Sequence, residues 1–76
     1  KGDYAVALQI GLQSLAICQE VKASFLMAYV LIHIGDYYEK LAQPDLAHEK
    51  WQAALEIATR SQNPIAIKDS QRRLGQ

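Results

Sequence analysis

Residues 31–54 read LIHIGDYYEKLAQPDLAHEKWQAA, and their spacing describes two helices folded back on each other. Leu31, Ile34 and Tyr38 recur at intervals of three and four, which puts them on one face of a helix. Gln43-Pro44 then interrupts the run. Proline inside a helix loses a hydrogen bond, but at the first helical position its missing N–H costs nothing. Asp45 falls in the first turn of the new helix, where the macrodipole favours a carboxylate. Beyond it Leu46, Ala47, Trp51, Ala54, Leu55 and Ala58 form an inward face, and Arg60 complements the dipole at the far end. The small residues Gly35 and Ala47 mark where the two helices approach most closely, while Tyr38 and Trp51 fill the wider gaps.

Upstream, the earlier of these helices extends from about Lys22 to Ala42. Its segment from Ala23 to Ile34 is apolar apart from Ser24 and His33. Twelve helical residues rise about 18 Å against a hydrocarbon core of about 30 Å, so the segment reads as a helix held between neighbours and not as a membrane span. Before it, Asp3 is a suitable N-cap for a helix running from Tyr4 to about Glu20. No charge occurs from Tyr4 to Gln19. Leu8, Leu12, Leu15 and Cys18 recur at helical spacing, and Ala5, Val6, Ala7, Ile10, Ala16 and Ile17 widen the apolar face to most of the circumference. That is the pattern of a helix buried on more than one side. Downstream, Ser61-Gln62-Asn63 is a short loop, and Asn63-Pro64 repeats the cap-and-proline signal for a fourth helix towards Leu74. Nothing reads as a strand. The expected fold is all-α, four helices joined by tight loops.

Composition narrows the function. The chain has 76 residues, at most one small domain. Eight Lys and Arg balance eight Asp and Glu. A neutral chain lacks the basic surplus that nucleic acid or an anionic membrane selects, so neither is expected as a partner. The single cysteine, Cys18, excludes an internal disulfide and a cysteine-based zinc site. Half of the residues are apolar, which argues against disorder. The chain begins at Lys1 without a methionine or a signal segment, as expected of a piece of a longer protein.

The chain also repeats itself. At an offset of 40, Ala7 lies on Ala47, Ser14 on Ala54, Leu15 on Leu55, Ile17 on Ile57, Ile34 on Leu74 and Gly35 on Gly75. The expected helix starts coincide as well, Asp3 on Gln43 and Ser24 on Pro64. The central unit, Leu31-x2-Ile34-Gly35-x2-Tyr38-x8-Ala47-x3-Trp51-x2-Ala54, resembles the tetratricopeptide (TPR) pattern W-x2-L-G-x2-Y with A-x3-F downstream. Gly2-Asp3-Tyr4 followed by Ala7-Leu8 resembles the common entry to the second helix of such a repeat. Leu31 stands where the family has Trp, Thr59 where it has Pro, His48 where it has Leu, and Gly11 where it has a large aromatic. The period is longer than the usual one of roughly 34 residues, and is similar to that of the long-helix variant found in signalling scaffolds and bacterial regulators. The resemblance divides the chain into the second half of one repeat (residues 1–21), a full repeat (22–61) and the opening helix of a third (62–76).

Motifs for catalysis and metal binding are weak. His48-Glu49-Lys50-Trp51-Gln52 misses H-E-x-x-H at its last position, so the two-histidine zinc site is not there. His33 lies in another helix, and no metal or cofactor is expected. Cys18 has no neighbouring base or cation to make it reactive and reads as a packed thiol. Asp36 and Glu39 share a helical face but lack a partner base, so a polar surface is the better reading than a catalytic pair. No phosphate-binding glycine loop or G-x-S-x-G occurs. Arg72-Arg73 is the only basic doublet.

The resemblance implies a noncatalytic module in the cytoplasm that binds a peptide or helix on a concave face. The face would be lined by Tyr29, Ile32, His33, Asp36, Glu39 and Lys40, with Arg72 and Arg73 one repeat further on. A partner would then carry basic groups for Asp36 and Glu39 and acidic groups for the arginines. Ile32 and Asp36 occupy positions that a TPR clamp for C-terminal carboxylates needs for other residues, so that specialised use is not expected. The alternative is a structural spacer or self-association element. Residues 1–34 hold only four charged side chains, Lys1, Asp3, Glu20 and Lys22, against twelve in the remainder. That surplus of apolar surface predicts a dimer burying the first helix.

Overall fold

The computed structural model describes residues 3–76, and Lys1 and Gly2 of the expected helix entry lie outside the described residues. Four helices account for the fold: α1 Tyr4–Val21, α2 Ser24–Lys40, α3 Pro44–Arg60 and α4 Pro64–Leu74. No strand occurs among the described residues. Helix α2 is shorter at both ends than its apolar run suggests, because Lys22 and Leu41-Ala42 are taken up by the turns. The starts of α1 and α3, and of α2 and α4, are each 40 residues apart. Consecutive helices pack against each other, and α2 also touches α4.

Caps follow the expected chemistry at two of the four starts. The Asp3 carboxylate accepts from the Val6 amide, and the Asn63 side chain accepts from Ala66. At the others Ala23 and Gln43 supply no side-chain bond, and Pro44 removes the need for one donor. The helix ends share one device. Lys22, Ala42, Gln62 and Gly75 are left-handed, with φ of 56°, 62°, 55° and 79°. The next amide turns back to a carbonyl five residues earlier, Ala23 to Cys18, Gln43 to Tyr38, Asn63 to Ala58 and Gln76 to Gln71. This is the Schellman closure, usually built on glycine. Here three of the four positions carry a side chain, which strains them by about 1 kcal/mol each.

The core lies between α2, α3 and α4. Ala28, Leu31, Ile32, Ile34 and Gly35 of α2 are buried against Ala47, Trp51, Ala54 and Ala58 of α3, and Ala66 and Ser70 of α4. A Cβ on Gly35 would lie 2.5 Å from Trp51 Nε1 and 3.1 Å from the Ala47 carbonyl oxygen, so only glycine permits this approach. Two expectations need correction. Leu46 was expected inward but is exposed, since it sits one residue, about 100°, off the buried line of α3. Helix α1 was expected to be covered on more than one side, yet Cys18 is its only buried residue. It packs on α2 alone, so Val6, Ile10, Ile17 and Val21 stay at least half exposed. Gly75, aligned with Gly35 in the sequence, closes α4 in the left-handed conformation and makes no close helix contact.

Substituting Gly35→Leu drives the side chain into the indole ring and is expected to destabilise the chain by about 1–3 kcal/mol. Gly11→Ala is the control. Its Cβ would meet the flexible Ile34 side chain at 3.0 Å, and a gain in helix propensity of up to about 1 kcal/mol offsets that crowding. Urea unfolding should therefore separate the two variants widely, and equal midpoints would remove Gly35 from the close contact.

Candidate functional site

The expected concave face divides into residues engaged inside the molecule and residues left to solvent. Ile32 is corrected first. It is 2 % exposed, packed in the α2–α3–α4 core, and its carbonyl accepts from Trp51 Nε1 at 3.3 Å. It offers nothing to a partner. Tyr29 is half-buried and donates its hydroxyl to Asn63 Oδ1 at 3.2 Å, the same oxygen that caps α4. His33, Glu39, Lys40 and Arg72 are exposed. Arg72 is paired within its own helix, to Asp69 at 3.3 Å.

Asp36 and Arg73 were expected to attract opposite charges on a partner. They satisfy each other instead. Arg73 Nε donates to Asp36 Oδ1 at 2.7 Å and its terminal nitrogen to Oδ2 at 3.0 Å, a two-point fork. Trp51 Nε1 also donates to Oδ1, at 3.2 Å. The remaining Arg73 nitrogen reaches the Asp69 carbonyl. The hydrogen bond to Asp36, strengthened by the charge of that carboxylate, raises the Arg73 pKa above its ordinary value. One carboxylate thereby joins α2, α3 and α4.

The open surface lies elsewhere. A groove of about 270 Å³ runs between α1 and α2, lined by Ala7, Ile10, Gly11 and Ser14 on one side and Val30, His33 and Tyr37 on the other. Helical spacing puts Ala7, Ile10, Gly11 and Ser14 on one flank of α1. Because the first of these residues and Gly11 are so small, the floor of the groove is backbone and the Ile34 side chain. The rings of Tyr4 and Tyr37, 6.5 Å apart between centroids, close one end. Of the expected site residues only His33 lines this groove. The sequence does contain a signal for the rest: Gly11 at a position where the repeat carries Trp51. Among the described residues no cluster of three His, Cys, Asp or Glu side chains could hold a metal ion, and no helix is long and apolar enough to cross a membrane.

No family model, no curated protein and no solved structure matches this chain.

The Asp36–Arg73 pair is about one-third exposed on both sides, so its coupling should be about 1 kcal/mol and not several. A double-mutant cycle with Asp36→Asn and Arg73→Met, read by urea unfolding, should give that coupling at low salt and less in 1 M salt. Strict additivity at both ionic strengths would mean that the fork contributes nothing to stability.

Proposed function

We propose that this chain is a noncatalytic protein–protein interaction module, a tetratricopeptide-like solenoid segment of a cytoplasmic scaffold or regulator. The observation that carries the reading is the α1–α2 groove, a preformed concave surface with apolar walls and one polar side chain, His33, at its edge. Such a surface suits a peptide or helix laid along it. The matched helix starts 40 residues apart and the contact of α2 with α4 support the repeat-like arrangement. The candidate polar face made by Asp36 and Arg73 contributes rigidity to the reading and no ligand contact.

A second reading, self-association, is favoured by α1. Val6, Ile10, Ile17 and Val21 form an exposed apolar line beside the groove, and Phe25 and Leu26 continue the exposure into α2. Exposed apolar surface of this kind drives association in water.

Selection of peptides from a random library on the immobilised chain tests the first reading. Selected peptides should lose at least tenfold in affinity, about 1.4 kcal/mol, on Ile10→Glu, and should keep it on Ile65→Glu, a substitution at an exposed site on α4. Equal loss at both positions, or at neither, would count against the groove. Self-association is read by light scattering at about 100 μM, the scale of weak complexes. A dimer should form and Ile17→Glu should return it to a monomer. A monomer at that concentration would remove the second reading.

A further inference from the structure

The groove between α1 and α2 has a filled counterpart in the same molecule. Forty residues on, Ala7, Gly11, Ser14, Val30 and His33 become Ala47, Trp51, Ala54, Ser70 and Arg73. In that second set Ala47, Trp51, Ala54 and Ser70 are buried. The element that covers them is α2, whose Gly35 lies on Ala47 and Trp51 and whose Asp36 grips Arg73. The molecule thus displays, between α3 and α4, what occupies a surface of this kind. It is a helix, antiparallel to its neighbour as a short turn requires, with a carboxylate aimed at the basic residue on the rim.

We propose that the α1–α2 groove binds an amphipathic helix of a partner protein that carries a carboxylate opposite His33 and a large apolar side chain opposite Gly11. The proposal rests on the interaction-module reading and specifies its ligand. Three differences between the two grooves set the chemistry. Gly11 replaces Trp51, so the place where α2 can bear only glycine is open here to a bulky residue. Val30 replaces Ser70, whose hydroxyl is buried without a partner, and Ile10 replaces Lys50, so the walls are more apolar. His33 replaces Arg73 as the one polar side chain on the rim, and no charged residue of α1 from Tyr4 to Gln19 competes for the carboxylate. Within α2 the neighbouring acid, Asp36, is already held by Arg73 and Trp51. A second copy of this chain fits less well, since its most exposed helix, α1, has no carboxylate along that stretch to offer His33.

The probe is a labelled peptide of residues 23–41 of this chain bearing Gly35→Leu. That substitution fits the space over Gly11 and bars the peptide from displacing α2 on Trp51. Fluorescence anisotropy with the full chain should show saturable binding. A peptide that also carries Asp36→Lys should bind at least tenfold more weakly. On a chain with His33→Glu the order of the two peptides should reverse, and His33→Arg should tighten the acidic peptide. Ile10→Glu, at a 58 % exposed position that folding does not depend on, should abolish binding of both. Absence of binding by the Gly35→Leu peptide overturns the proposal. So does light scattering that shows a dimer the peptide cannot dissociate, because the occupant is then a second copy. Binding that is lost on Ile10→Glu but indifferent to Asp36→Lys and to His33 also overturns it, and in that case the interaction-module reading survives.

Discussion

The indole of Trp51 lies directly on the backbone of Gly35, and most of the structure follows from that contact. Apolar packing alone is non-directional, and a bundle of alanine-rich helices could slide by a turn with little loss. The Trp51 N–H removes that freedom because it must find an acceptor once buried. It finds two, the Ile32 carbonyl and the Asp36 carboxylate, 3.3 and 3.2 Å away. Asp36 in turn fixes Arg73, and so the position of α4 against α2. A ring, a missing Cβ and one carboxylate set the register of three helices.

The same arrangement explains why the two halves differ so much in burial. Helix α2 has neighbours on three sides and contributes most of the buried residues, whereas α1 has one neighbour and only one buried residue. The polar groups of the expected concave face are used where α2 meets α4, which leaves that surface structurally occupied. The side of α2 that faces α1 has no such network. There Gly11 stands in for the indole and no ion pair forms, so the surface stays apolar and open.

Four helices, their order and their starts were legible in the sequence because Asp3, Pro44 and Asn63-Pro64 carry specific chemistry at helix N-termini. The tight approach at Gly35 was legible too, since only a residue without Cβ gives that spacing. The ends were not. Lys22, Ala42 and Gln62 adopt a conformation that glycine favours, and no local preference reveals it; the backbone hydrogen bonds of each turn override the side-chain cost. The pairing of Asp36 with Arg73 was missed for a different reason. Each was placed correctly on a surface, yet opposite charges on helices that lie side by side satisfy each other before any partner arrives. The burial of Ile32 and the exposure of Leu46 depend on a rotation of a single residue around the helix, which apolar patterning of an alanine-rich segment does not resolve.

The three connecting turns have a consequence for how such a chain can grow. Left-handed residues fall at 22, 42 and 62, twenty apart, and each turn closes through the same backbone bonds. Any two of these turns are interchangeable as joints. A gene segment copied from one turn to the turn forty residues later would be spliced at matching geometry, and every helix after the insertion would keep its face towards its neighbour. An insertion of any other length would rotate all that follows. The uniform joints thus make lengthening by whole units the one route that preserves packing.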